Sequence, residues 1–302
     1  MADQPILTRG LTKHYGDFPA LVDLDLEVRA GEVFGFLGPN GSGKTTMIRT
    51  ILDEIRPTAG SASILGFDSR RDSVEIRRHI GYLPGDLALY PDLTGRDTLS
   101  FFANLRGGVD WTFVDELAQR LAADLSKKVG DLSSGNRQKI GLLQALMNRP
   151  QLVIMDEPST GLDPLVQHEF HELLREIASE GRTVFLSSHT LFEVQRVADR
   201  VAVIREGRLV AVEGLADLRS KALRRVDIEV DQPIEPDELD GIAHLDGVRQ
   251  VDIDGRRLSV SFSGSMAEIL HAVMERRAVV DIATREADLE EIFLTFYRDR
   301  AG

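Results

Sequence analysis

The chain has 302 residues, of which 49 are acidic and 36 are basic, and its formal net charge is −13. This length suffices for a domain with a large buried core and a smaller second domain, and the acidic balance disfavours non-specific binding to nucleic acid or anionic lipid. The absence of cysteine excludes a disulfide framework and a thiolate zinc site. No segment approaches the roughly 20 apolar residues of a membrane-spanning helix, and the first ten residues lack the pattern of a signal peptide.

The first part of the chain alternates short apolar strands with helical patterns, which predicts a layered α/β domain over residues 1–224. A helical subdomain inserted into this sheet domain is predicted from about Asp86 to Leu146, where the pattern is mostly helical. A hairpin is predicted to turn at Glu206 and Gly207. The main predicted strands are 20–28, 32–38, 151–158 and 182–189.

Residues 225–302 form a second predicted domain, a small α+β accessory domain. Its predicted elements are a strand (226–230), a helix (236–245), two strands (248–253 and 257–262), a helix (265–276), a strand (278–284) and a final helix (289–298). The βαββαβ order predicts a ferredoxin-like sandwich.

The segment GPNGSGKTT, residues 38–46, has the spacing G-x-x-x-x-G-K-[ST] and lies between a predicted strand and a predicted helix. Glycines let backbone N–H groups converge on phosphate oxygens, and the helix N-terminus adds partial positive charge. Lys44 is predicted to reach the β- and γ-phosphates of a nucleotide, and the Thr45 hydroxyl is predicted to bind Mg²⁺. The predicted phosphate-binding residues are Gly38, Pro39, Asn40, Gly41, Ser42, Gly43, Lys44, Thr45 and Thr46.

Acidic and imidazole side chains end the next two apolar strands. Asp156 is predicted to hold Mg²⁺ together with Thr45, and Glu157 is predicted to polarise the attacking water. His189 ends the following strand and could contact the terminal phosphate or that water. An acidic pair or a lone histidine at a strand end is often only structural, so the prediction depends on their occurring together with the phosphate-binding segment.

The segment LSSGN, residues 132–136, begins a predicted helix. Either Ser133 or Ser134 could serve as the N-cap, whose hydroxyl accepts a backbone N–H. An N-cap does not explain Gly135, since glycine destabilises a helix and leaves its backbone bare.

The chain resembles the ABC-type ATPases, the nucleotide-binding subunits of ABC transporters, in the order of five short segments. These are residues 38–46, LSSGN (132–136), VIMDEP (153–158), STGLD (159–163) and SSHT (187–190). The resemblance covers about residues 5–220. It implies the P-loop NTPase fold, hydrolysis of ATP with Mg²⁺, and a homodimer that encloses two ATP molecules. It also implies that Ser133, Ser134, Gly135 and Asn136, here called the signature segment, contact the ATP bound by the opposite protomer.

Further roles follow from the same resemblance. Tyr15 matches the aromatic residue that stacks on adenine, although a structural tyrosine is an alternative. Asp163 matches a loop that contacts the other protomer, and it is also placed to cap the helix that starts at Pro164. The ending DLEEIFLTFYRDR resembles ATP-binding subunits of exporters whose membrane half is a separate chain. That likeness implies integral membrane permease subunits as partners and a position at the cytoplasmic face of the membrane. The net acidity argues against a nucleic-acid partner.

The sequence departs from this family at Gly85, where a glutamine is usual after the Tyr-Leu-Pro run. Glycine has no side chain to reach Mg²⁺ or water, so either Asp86 substitutes for the glutamine or the loop serves only mechanical coupling. The neighbouring Leu87, Leu89 and Tyr90 predict a docking surface for a membrane subunit. Packing within the helical subdomain is the alternative. Two other functions are compatible with the sequence, a soluble ABC ATPase outside transport and a nucleotide-dependent regulatory subunit with little turnover.

Overall fold

The computed structural model describes residues 3–221, 224–234, 240–263 and 265–285. The chain divides into two compact units, residues 1–214 and 215–302. The division falls before the boundary predicted at residue 224, because the short helix Leu215–Lys221 belongs to the second unit.

The described part of the first unit contains ten strands and seven α-helices. The strands are β1 Ile6–Tyr15, β2 Phe18–Val28, β3 Val33–Leu37, β4 Ala59–Ile64, β5 Phe67–Asp68, β6 Ile80–Leu83, β7 Leu152–Asp156, β8 Thr183–Ser188, β9 Arg200–Arg205 and β10 Arg208–Gly214. The helices are α1 Lys44–Ile51, α2 Ser73–His79, α3 Gly95–Leu105, α4 Trp111–Arg120, α5 Ser134–Leu146, α6 Pro164–Ser179 and α7 Leu191–Val197.

The central sheet of this unit has the strand order β10-β9-β3-β8-β7-β6, and it is parallel except for β10. All residues of β3, β7 and β8 are buried. Burial on both faces explains why these strands read as continuous apolar runs in the sequence. Their carboxyl ends carry the predicted phosphate-binding segment, the acidic pair and His189 respectively, so the sheet topology brings all three to one edge.

A second, antiparallel sheet has the order β2-β1-β4-β5 and packs against the central sheet through a shared apolar core. Of these four strands, only β2 corresponds to a strand predicted from the sequence. The strands β9 and β10 form the predicted hairpin, in which Glu206 and Gly207 both have positive φ values, 50° and 73°. Positive φ at both central residues is the geometry that matches the right-handed twist of a tight hairpin.

Three helices, α3, α4 and α5, lie between β6 and β7 and form the inserted helical subdomain. The first of them begins at Gly95, after the loop that opens the predicted subdomain. A capping box explains this start, because the Thr94 hydroxyl accepts the backbone N–H of Asp97 while the Asp97 carboxylate accepts that of Thr94. Residues 84–94 are therefore a loop.

The second unit contains α8 Leu215–Lys221, β11 Arg224–Val230, α9 Asp240–Ala243, β12 Val248–Asp254, β13 Arg257–Phe262, α10 Met266–Met274 and β14 Val279–Arg285. Its antiparallel sheet has the order β12-β13-β11-β14, which is the ferredoxin-like arrangement of a βαββαβ chain. Alternate residues of β11 and β13 face an apolar core shared with the helices. The predicted final helix, 289–298, lies outside the described residues.

Candidate functional site

The phosphate-binding segment forms the turn between β3 and α1. Gly43 precedes α1 with φ 110°, and an added Cβ there would lie 2.7 Å from the Ala20 carbonyl oxygen, so only glycine fits. No side chain caps α1, and its first turn contains no acidic residue. The first backbone N–H groups of the helix are therefore available to an anion.

Two buried polar side chains face this turn. The Ser42 hydroxyl is buried and has no hydrogen-bond partner among the described residues. Lys44 is only 6 % exposed, and its ammonium donates to the carbonyls of Gly38 (2.7 Å) and Pro39 (3.2 Å). A buried hydroxyl without a partner and a buried cation beside uncapped N–H groups suit the phosphates of a nucleotide.

Asp156, at the end of β7, is 1 % exposed and accepts a 2.7 Å hydrogen bond from the Thr45 hydroxyl. Its second carboxylate oxygen accepts from the Ser187 hydroxyl on β8. A carboxylate and a hydroxyl are hard oxygen donors of the kind that Mg²⁺ prefers, and both adjoin the phosphate-binding turn. These residues therefore fit the predicted metal-binding role.

Glu157 is the centre of a small charged group. One carboxylate oxygen lies 3.3 Å from the Lys44 ammonium, and the other lies 2.7 Å from Nδ1 of His189. The glutamate is 21 % exposed and the histidine is 51 % exposed. The backbone of Glu157 is left-handed, with φ 52°, which is a strained conformation for a residue with a side chain.

Glu157 and His189, together with Thr45 and Asp156, line one open cavity of about 340 Å³, here called the nucleotide cavity. It is lined by Asn40, Thr45, Arg49, Gly85, Asp86, Asp156, Glu157, Thr160 and His189. Arg49 and Thr160 are not among the site residues predicted from the sequence. The signal for Arg49 was its position four residues after Thr45 on the same helix, which places both on one face.

Gly85 lies directly against the Asp156 carboxylate. A Cβ added to Gly85 would be 3.0 Å from Oδ2 of Asp156, tighter than ordinary van der Waals contact. A residue with a side chain at position 85 would therefore crowd the Asp156 carboxylate. The neighbouring Asp86 presents an exposed carboxylate in the same cavity.

Tyr15 ends β1, next to the turn that leads into β2, and its side chain is 50 % exposed. The Lys13 ammonium lies 5.0 Å from the centre of its ring. Tyr15 is therefore not part of the core, and its exposed ring is free to stack on a planar group.

The signature segment lies outside the nucleotide cavity of its own chain. It borders a second cavity of about 440 Å³ whose lining includes Ser133, Gly135 and Asn136. Ser133 is the N-cap of α5, since its hydroxyl accepts the backbone N–H of Asn136. The Asn136 amide makes reciprocal hydrogen bonds with the backbone of Asp124 (3.2 and 3.3 Å), so it anchors the start of α5.

The close approach of a neighbouring loop explains why residue 135 is a glycine. A Cβ added there would lie 2.3 Å from the carbonyl oxygen of Gly161, in the loop that follows Glu157. Asp163 ends this loop and caps α6, as its carboxylate accepts the backbone N–H of Val166. That N–H, together with the Lys139 ammonium 3.8 Å away, lowers the pKa of Asp163.

The loop after β6 borders an apolar groove of about 270 Å³. It is lined by Leu52, Glu54, Arg77, Ile80, Tyr82, Pro84, Leu87, Ala88, Leu89, Phe102, Arg106 and Gln144. Leu87 also packs closely on Gly141 of α5, so part of the predicted exposed cluster contributes to packing within the helical subdomain. Tyr90 is exposed and meets Phe101 edge to face.

Comparison with known proteins gives a consistent result. The family described as "ABC transporter" matches residues 21–160. The daunorubicin resistance ATP-binding protein DrrA3 of Streptomyces coeruleorubidus is 36 % identical and covers 97 % of this chain and 96 % of its own. The Nod factor export ATP-binding protein I of Burkholderia pseudomallei is 34 % identical, with 97 % of each chain covered.

Among solved structures, the dimeric structure of MJ0796, a bacterial ABC transporter cassette, is 26 % identical with a TM-score of 0.65. The similarity covers 70 % of this chain and 98 % of that one. In the part of the chain that the structure describes, no helix has both the length and the apolar character needed to cross a membrane.

Proposed function

This chain belongs to the ABC transporter family as an ATP-hydrolysing subunit of the exporter type, and we propose that the residues of the nucleotide cavity carry its reaction. The observation that supports this most strongly is the convergence of Lys44, Thr45, Asp156, Glu157 and His189, which come from three different strand ends. A phosphate-binding turn, a metal-binding pair and a base with an attached imidazole are the parts that phosphoryl transfer to water requires.

Each part has a defined task in this proposal. The N–H groups of α1, the Ser42 hydroxyl and Lys44 bind the ATP phosphates, while Tyr15 stacks on the adenine ring. Thr45 and Asp156 hold Mg²⁺, which neutralises charge on the phosphates when bound. Glu157 orients the attacking water and accepts its proton, and His189 holds the glutamate and contacts the terminal phosphate.

Asp86 takes part in this site in place of the usual glutamine. Its carboxylate lines the nucleotide cavity, while Gly85 lets the loop approach Asp156 closely. We assign Asp86 to orienting water near the metal, a task that needs a hydrogen-bond acceptor and not a direct metal ligand.

The site is completed by a second copy of the chain. The signature segment does not line the nucleotide cavity of its own chain but borders the second cavity, and the start of α5 presents small residues and backbone N–H groups suited to a phosphate. We infer a homodimer that encloses two ATP molecules, with Ser133–Asn136 of each chain facing the other's nucleotide and the loop of Asp163 contacting the other protomer.

Membrane subunits are the further partners. The apolar groove beside Leu87 and Leu89 suits an amphipathic helix of a permease, and closure of the dimer would move that helix. The assembly would then lie at the cytoplasmic face of the membrane. Export is the direction of transport that we propose, because the relatives named above include a daunorubicin resistance protein and a Nod factor export protein.

The proposal is tested with Glu157→Gln in the full chain, by light scattering with and without MgATP. We expect ATP to drive a dimer, because loss of the base stops turnover while leaving phosphate binding intact. Adding Ser133→Arg should prevent that dimer, since a large side chain would occupy the space needed by the partner's ATP. Steady hydrolysis should disappear in Glu157→Gln and persist in the control Glu172→Gln, an exposed glutamate paired with Arg175.

Two results would contradict the proposal. Turnover that survives Glu157→Gln would exclude this residue as the base. A dimer that forms equally well with Ser133→Arg would exclude the signature segment from the ATP interface.

A further inference from the structure

The short loop after Glu157 is held by the signature helix α5. Two residues of that helix, Gly135 and Gln138, lie three positions apart and therefore on the same face. Gly135 contacts the Gly161 carbonyl closely, and the Gln138 amide nitrogen donates a 2.9 Å hydrogen bond to the Pro158 carbonyl. One helix thus carries both the proposed contact to ATP in the partner and a contact to the residue after Glu157.

The backbone of Glu157 needs such support. Its left-handed φ of 52° is disfavoured for a residue with a side chain and persists only where the surroundings impose it. On its amino side, the Glu157 N–H donates to the carbonyl and hydroxyl oxygens of Ser187, both at 3.2 Å. On its carboxyl side, the side-chain contact nearest to the strained residue is the bond from Gln138 to Pro158.

The direction of that bond is chemically determined. A proline has no N–H, and its carbonyl oxygen can only accept a hydrogen bond, so the amide nitrogen of Gln138 must face it. A glutamate at position 138 would have almost the same shape but would turn an acceptor, and a negative charge, toward the carbonyl.

We propose that Gln138 is a positioning residue for ATP hydrolysis, which connects the signature helix to the strained backbone of Glu157. When ATP in the partner engages the start of α5, a displacement of this helix reaches Pro158 through Gln138 and adjusts the glutamate in the other site. The inference rests on the proposed role of Glu157, and it adds a defined connection between the two ATP sites.

The test uses Gln138→Glu in the full chain, with Gln119→Glu as the matched control, since Gln119 is exposed on α4 and receives the same change of charge. We expect Gln138→Glu to lower kcat at least tenfold, because a small misplacement of a catalytic group is costly. The affinity for ADP should stay within twofold of the wild type, and Gln119→Glu should change neither quantity.

A double-mutant cycle then distinguishes positioning from a general effect. If Gln138 acts through Glu157, adding Gln138→Glu to Glu157→Gln leaves the residual single-turnover rate unchanged, because the group that it positions is already disabled. If the residual rate falls by the same factor as in the wild-type background, Gln138 acts elsewhere and the inference is overturned. An unchanged kcat in the single variant also overturns it.

A second variant guards against misfolding. Gln138→Leu removes the donor without adding charge, and it replaces Gln138→Glu in the cycle if the latter loses its thermal transition. Turnover that survives Glu157→Gln would overturn the proposed function and this inference together, whereas an additive cycle would overturn the inference alone.

Discussion

Glu157→Gln is expected to tighten the binding of ADP as well as to stop hydrolysis. Lys44 is ion-paired with Glu157 at 3.3 Å, while the β-phosphate of a bound nucleotide needs the same ammonium. The glutamate therefore competes with the phosphate for Lys44. Removing its charge weakens this competition, and the effect should be visible with ADP, which has no γ-phosphate for Glu157 to repel.

The magnitude follows from the burial and the geometry of the pair. At 3.3 Å and an effective dielectric constant of about 20, the Coulomb attraction is about 5 kcal/mol before the cost of removing both charges from water. The glutamine oxygen still accepts a hydrogen bond from Lys44, so only the difference between a charged and a neutral acceptor is lost, about 1–2 kcal/mol. The Kd for ADP should fall roughly 5- to 30-fold.

Isothermal titration calorimetry with ADP in the absence of Mg²⁺ measures this directly on the full chain. Glu172→Gln, which removes an exposed carboxylate on α6, serves as the control and should leave the Kd for ADP unchanged. The reasoning is refuted if Glu157→Gln tightens only a non-hydrolysable ATP analogue and not ADP. The cause would then be repulsion of the third phosphate and not competition for Lys44.

Three further changes test other parts of the first unit. Burial, together with nearby arginines, lowers the pKa of His171 to about 4, so the folded chain excludes a proton that the unfolded chain accepts near pH 6.5. The free energy of unfolding should therefore fall by about 2 kcal/mol from pH 7.5 to pH 5. In urea melts, His171→Phe should lack this part of the pH dependence, and a variant with the same pH dependence as the wild type would contradict the lowered pKa of His171. Gly135→Ala should lower the free energy of unfolding by about 1–3 kcal/mol, because its Cβ would lie 2.3 Å from the Gly161 carbonyl oxygen. A Gly135→Ala variant that unfolds in urea at the same concentration as the wild type would contradict this close contact. Arg120 of α4 donates to both carboxylate oxygens of Glu176 on α6, so Arg120→Gln should cost about 1 kcal/mol in low salt and less in 1 M salt, and a loss independent of salt would argue against an ionic origin.

Much of the nucleotide cavity could be predicted from short stretches of sequence. The phosphate-binding turn is made of consecutive residues, so its motif contains both the glycine that allows φ 110° and the lysine that follows it. Asp156, Glu157 and His189 end apolar runs, and parallel strands bring their carboxyl ends to one edge of a sheet. The hairpin at Glu206 and Gly207 and the ferredoxin-like order of the second unit likewise follow from local patterns.

Other features required contacts between segments that are far apart in the chain. The sequence predicted a helical subdomain from about Asp86, and the structure shows that a capping box at Thr94 starts its first helix at Gly95. The prediction that Gly135 contacts the partner's ATP did not include its close contact with Gly161, because neither residue alone indicates that their backbones meet. The exposed cluster predicted around Leu87 is partly packed on α5 for the same reason.

The sequence by itself determined which chemical groups this protein has and where each lies on its own strand or turn, since those depend on backbone geometry within a few residues. Only the tertiary structure decided how the groups are paired. The contact of Lys44 with Glu157 and that of Gln138 with Pro158 join separate elements, and they exist because the packing of the sheet and helices brings these elements within hydrogen-bond distance. Local sequence patterns do not determine the distance between residues far apart in the chain, so these pairings could be identified only from the folded structure.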